Sequence, residues 1–139
     1  VARVAATAAV LAWVNDHPTL TGLGNPLDQG AFRDQVRSPS RGAYVVLARI
    51  DGADALVAEE AIDEARIAGL VFAATDEAAE TAAVAYANAL AVLSGTPTPM
   101  GSATCLVVDG ITGPQFLDDR AGASGELYAY QVDATFFFC

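Results

Sequence analysis

The stretch ELYAYQVDATFFFC, Glu126 to Cys139, decides how this chain folds. Every even-numbered residue from Tyr128 to Phe138 is apolar or aromatic, a period of two that predicts a strand with one side in a core. The odd-numbered side carries Gln131, Asp133 and Thr135, but also Leu127 and Phe137. It is neither consistently polar nor consistently apolar, so something besides water is expected to meet part of it.

Upstream lies a second long apolar-rich segment, ATCLVVDGITGPQFLDD (103–119), separated from the first by RAGAS (120–124). Two such segments around a glycine-containing linker predict a long β-hairpin turning near Gly122. That register sets Leu106 against Phe138, Val108 against Phe136, Thr112 against Val132, Pro114 against Tyr130 and Phe116 against Tyr128, all on the core face. The mixed face then pairs Val107 with Phe137, Ile111 with Asp133, Gln115 with Ala129 and Leu117 with Leu127. Gly110, Gly113 and Pro114 predict a bulge that shifts the register beyond it. The same register brings Cys105 opposite Cys139, within reach of a cross-strand disulfide, although a reducing compartment is the default for only two thiols.

AYVVLARI (43–50) and ARIAGLVFAA (65–74), rich in β-branched residues, read as two further strands. The loop between them, DGADALVAEEAIDE, holds Asp51, Asp54, Glu59, Glu60, Asp63 and Glu64 without a base. It lacks the alternation and central glycine of a calcium loop, so a solvated or partner-facing loop is the expected role. TDEAAETAAVAYANALAVLSG (75–95) reads as a helix capped by Thr75 or Asp76, with acids at its positive end and Gly95 as its stop. Ala79, Ala83, Tyr86, Leu90 and Leu93 form its buried stripe. TPTPMG follows as a loop. VARVAATAAVLAWV reads as an ordinary N-terminal helix ended by Pro18, and a short helix is expected over Leu27–Val36, opened by Pro26.

These elements give one domain over residues 1–139. Its class is α+β: a mostly antiparallel sheet of two strands and a long C-terminal hairpin, with an N-terminal and a central helix packed on one face. Its length is enough to bury roughly two thirds of the unfolded chain's surface. A hydrophobic fraction of 53% opposes disorder, and no apolar run approaches membrane-spanning length.

Seventeen acids against seven arginines, with no lysine, leave a net charge of −10. Surplus negative charge repels nucleic acid, and the nearest thing to a basic stripe is Arg33, Arg37 and Arg41, four residues apart. The single histidine, His17, sits beside a proline in NDHPTL with no catalytic partner nearby in sequence. GLGNPLDQG lacks the spacing of a dinucleotide loop, and no phosphate loop ending in Lys occurs. No catalytic residue, metal ligand or cofactor is therefore assigned.

The order helix, long loop, strand, acidic loop, strand, capped helix and terminal hairpin resembles the tail terminator family of long-tailed bacteriophages, also called tail-completion or tail-to-head joining proteins. GAYVVLARI, ARIAGLVFAATDEAAETAAVAYANAL and CLVVDGITGPQFLDD with ELYAYQVDATFFF carry the likeness. The resemblance implies a virion protein that acts by binding. It would form a ring, typically a hexamer, on the head-proximal end of the tail tube, stop tube polymerisation and present a joint to the head connector or neck protein. DNA would pass through the channel without specific binding, along a wall supplied partly by the surplus acids.

A closed ring needs one patch of a subunit to meet a different patch of the next. Two candidates exist: the mixed hairpin face with Val107, Leu117, Leu127 and Phe137, and the opposed charges of Arg33, Arg37 and Arg41 against Asp51, Asp54, Glu59, Glu60, Asp63 and Glu64. The rival reading is a small ligand-binding or regulatory α+β domain that dimerises through its sheet; an enzyme comes third.

Overall fold

The computed structural model describes residues 4–33, 42–50, 63–93, 95–117 and 128–139. Two helices, α1 (Ala6–Asp16) and α2 (Asp76–Val92), pack on one face of a six-stranded sheet. The strands are β1 (Gly30–Phe32), β2 (Tyr44–Arg49), β3 (Asp63–Ala73), β4 (Thr98–Met100), β5 (Ala103–Leu117) and β6 (Tyr128–Phe138), in the order β1-β2-β3-β6-β5-β4. All neighbours are antiparallel except β1 and β2. The α+β class is as expected, but the sheet has six strands in place of four.

The two added strands have local causes. At the expected helix over Leu27–Val36, the described part is a turn followed by a short strand. Leu27 is buried and its N–H donates to the Leu20 carbonyl, while Gly30–Phe32 pairs in parallel with Tyr44–Val46. Asn15, near the end of α1, completes the arrangement: its Nδ2 donates to the Ala31 carbonyl at 3.2 Å and its Oδ1 accepts from the Ala31 N–H at 2.9 Å. One amide side chain thus serves as a strand partner for β1, satisfying backbone groups that an edge leaves open. In TPTPMG, Thr98–Met100 pairs with the start of β5, and Met100 is fully buried.

α2 follows its sequence signals closely. The Thr75 hydroxyl accepts from the Ala78 N–H at 3.1 Å, and Ala79, Ala82, Ala83, Tyr86 and Leu90 face the sheet. Close approach depends on Gly69 of β3: a Cβ there would lie 3.0 Å from the Tyr86 ring and 3.1 Å from the Val132 carbonyl oxygen. Tyr86 is wholly buried over this gap. Burial, reinforced by the Asp133 carboxylate, pushes its phenol well above the ordinary range. Tyr130 of β6 ties the helix start to the sheet through a 2.7 Å hydrogen bond to Asp76, which with desolvation raises its pKa to about 12.

The hairpin register holds from Val107 to Asp109, near its open end, and drifts toward the turn. Val107 opposes Phe137 and Val108 opposes Phe136, as expected. Leu106 is displaced from Phe138 by an irregularity, so Cys105 takes that place. Further shifts after Asp109 and after Thr112 put Thr112 against Asp133, Gln115 against Gln131, Phe116 against Tyr130 and Leu117 against Ala129. Those pairs replace Thr112–Val132, Ile111–Asp133, Pro114–Tyr130, Gln115–Ala129, Phe116–Tyr128 and Leu117–Leu127. Gly110 and Gly113 supply the bulges with φ of +61° and +95°, backbone that glycine enters without Cβ strain. A Cβ on Gly113 would also run into the Gln131 carbonyl oxygen.

Both cysteines are free thiols. Cys105 is buried in the core beside Phe138, whereas Cys139 is exposed one residue further along, so by strand alternation their sulfurs point to opposite faces. Burial pushes the Cys105 thiol upward.

Candidate functional site

The face opposite the helices is the candidate surface, and its character changes in steps along the strands. At the end toward Tyr44 it is dry. Across the sheet, Tyr44, Phe72, Ala129 and Leu117 form one row, followed by Phe32, Val46 and Leu70 on the first three strands. Tyr44, Phe72 and Ala129 are fully buried, and the Tyr44 and Phe72 rings stack at 5.3 Å while Phe32 meets Tyr44 edge-on. This second small core explains why β2 and β3 are apolar on both sides.

The middle of the face is polar. Gln115, Gln131, Asp133, Thr112, Thr135 and Asp109 occupy successive cross-strand rows. Gln131 donates from Nε2 to both Asp133 carboxylate oxygens at 3.0 Å. Arg66 reaches from β3 across β6 to β5, donating to the Thr135 hydroxyl at 2.9 Å, to the Thr112 hydroxyl at 3.2 Å and to the Gly110 carbonyl at 3.2 Å. It clamps the Gly110 bulge to the body of the sheet. At the far end the surface turns apolar again, with half-buried Val107 and Phe137 beside exposed Glu64. The mixed pattern of the odd-numbered residues is therefore a sequence of zones along β5 and β6.

The free edge of the sheet adjoins this face. β5 is fifteen residues long, and β4 pairs only with its first three, Ala103 to Cys105. From Leu106 to Leu117 no other described strand borders that edge, and Phe116 near its end is 40% exposed. An edge of this length with one charged residue, Asp109, is a ready template for another chain, tempered by the bulges and by Pro114, which has no N–H to offer.

The predicted interface residues divide into four groups. Val107, Leu117 and Phe137 lie on the outer face, the first and last at one end and Leu117 in the small aromatic core at the other. Arg33 and Glu64 are described and exposed. Asp63 is not available to a neighbour. It is 1% exposed, its carboxylate meets Arg49 at 3.0 Å and accepts from the Val4 N–H at 2.7 Å. Alternation puts Asp63 on the helix side of β3, where Arg49 also donates to the Val4 carbonyl and the pair holds the approach to α1. Arg37, Arg41, Asp51, Asp54, Glu59, Glu60 and Leu127 lie outside the described residues.

Sequence reasoning missed the Phe32–Tyr44–Phe72 cluster and the Arg66 clamp. The first was visible in the unbroken apolar run of β2, the second in the lone arginine between Ala65 and Ile67. Among the described residues no group of three or more His, Cys, Asp or Glu is placed to hold a metal, and no helix is long and apolar enough to cross a membrane. No protein-family model matches the chain, and comparison with curated proteins and with solved structures finds no match.

Proposed function

We propose that the chain is a bacteriophage virion protein that caps the head-proximal end of the tail tube as a ring, stops tube polymerisation and provides the joint to the head connector. The observation that carries this reading is the β5 edge from Leu106 to Leu117, which no other described strand borders, with Phe116 exposed at its end. The sheet order sets this edge on the side opposite β1. A subunit with different surfaces on its two flanks suits head-to-tail contacts that close into a ring. The resemblance in element order supplies the tube as the partner, and a hexamer is the ring number it implies.

Within this proposal the charge contact keeps, among the described residues, the exposed Arg33 after β1 and the exposed Glu64 of a neighbour, and loses Asp63, which is engaged inside its own subunit. Some of the surplus acids line the channel and keep transiting DNA from adhering.

The test is incubation with tail tubes from virions whose genome encodes the chain. Capping of one tube end in electron micrographs, with elongation arrested, is the expected result. Phe116→Asp should abolish capping while leaving the circular dichroism spectrum unchanged. A dimer under all conditions that never associates with tubes would favour instead a regulatory domain pairing through its sheet.

A further inference from the structure

A second surface lies in the helix layer, away from the sheet edge. Trp13, His17 and Leu20 from α1 and the turn after it, with Ala85, Asn88, Ala89, Val92 and Leu93 from α2, enclose a groove of about 380 Å³. That is room for one or two large side chains. Its walls are mainly apolar, and Val92 on its rim is 77% exposed.

The electrical setting of the groove is one-sided. It sits where α1 and α2 both end, at the negative poles of their dipoles, and neither helix has a basic residue in its last turn. Neither has one anywhere: Asp16 closes α1, Asp76, Glu77 and Glu80 lie near the opposite, N-terminal end of α2, and neither helix carries an arginine. The Trp13 ring, set edge-on to His17 at 5.2 Å, is half-exposed in the same groove, a surface that attracts cations over its face. The Thr19 N–H donates to His17 Nδ1 at 3.3 Å, leaving Nε2 as the nitrogen that carries the proton in the neutral ring. The exposed Asn88 adds a carbonyl oxygen able to accept from a guanidinium.

We propose that this groove is a docking site for an arginine-bearing amphipathic segment of another protein. The arginine's aliphatic stem lies against Trp13, Ala89 and Val92, and its head turns toward Asn88 and the end of α2. An apolar side chain one helical turn away fills the rest of the groove. Charge complementarity selects this occupant: an acidic or uncharged segment would meet the same apolar walls without the favourable field. The site is separate from the β5 edge and does not depend on ring formation.

Trp13 is the only tryptophan in the chain, so its emission reports on the groove directly. The probe is an amphipathic helical peptide of leucine and arginine, titrated into the full chain beside its leucine–glutamine and leucine–glutamate counterparts. The expected result is a saturable shift of Trp13 emission with the arginine peptide alone. Val92→Arg should raise Kd about tenfold or more, by placing a guanidinium on the rim. Glu64→Gln, which changes net charge equally on the opposite face of the sheet, should change Kd less than about twofold. Three outcomes overturn the proposal: no emission change, equal binding of the glutamine peptide, or equal weakening by both substitutions, which would mean attraction to an acidic protein at large.

Discussion

Asp63 and Arg49 show how a charge in an acidic run can serve its own subunit. Asp63 is the only charged residue among those described that is almost wholly removed from water, and it is held by a guanidinium and a backbone N–H. Removing one member of such a pair leaves the other inadequately compensated. Asp63→Ala is therefore expected to lower the stability of the isolated subunit by about 3 kcal/mol, measured by urea denaturation. An unchanged midpoint would mean that the carboxylate contributes nothing within the subunit and would return it to the list of contact residues. Composition alone does not set Asp63 apart in the run of acids from Asp51 to Glu64. The sign is its place at the strand start, in phase with Ala65 and Ile67, which puts it on the inner face.

Elements with strong local signals were the legible ones. α2 has its cap, acidic first turn and apolar stripe in one uninterrupted segment, and β6 has a strict alternation; both appear where expected. β1 and β4 are three residues each and were illegible for different reasons: β1 is fixed by Asn15 and β2, distant in sequence, whereas β4 is joined to β5 by a two-residue turn but lies in TPTPMG, whose prolines read as a loop. A bulge in β5 was anticipated from Gly110, Gly113 and Pro114, but the register shifts twice there, where Arg66, distant in sequence, bonds to Gly110 and Thr112. The outer-face interface residues could be assigned to a face, whereas the aromatic core that absorbs Leu117 could not.

The link between α2 and β6 has a pH signature. The Tyr130 phenol ordinarily titrates at 10.0 and is raised to about 12 in the fold, chiefly because its proton is held by Asp76. Its contribution to stability is whole below about pH 10 and is lost as pH climbs toward 12, because the unfolded chain gives up the proton first. Buried Tyr86 adds to the loss in the same direction. Stability should therefore fall above pH 10 in thermal melts, and Tyr130→Phe should make that fall shallower. An equally steep fall in the variant would show that the hydrogen bond to Asp76 does not hold the proton.

At the scale of the whole molecule, two forces act on any assembly of copies. Each carries a net charge of −10, so copies repel one another through water. The β5 edge that no other described strand borders and the half-buried Val107 and Phe137 favour contact. Salt separates the two, since it screens repulsion between exposed charges and leaves apolar burial nearly untouched. If the sheet edge drives ring formation, raising ionic strength from about 0.05 M to 0.5 M shifts sedimentation toward the assembled form. The opposite shift would show that pairs such as Arg33 with Glu64 dominate.

The Asn15 amide, standing in for a neighbouring strand along Ala31, couples two parts of the chain that share no sequence proximity. A fluctuation that lifts the end of the first helix withdraws the cover from the first strand at the same moment. The two therefore form one opening unit, and the margin of the sheet is only as well guarded as that helix is seated.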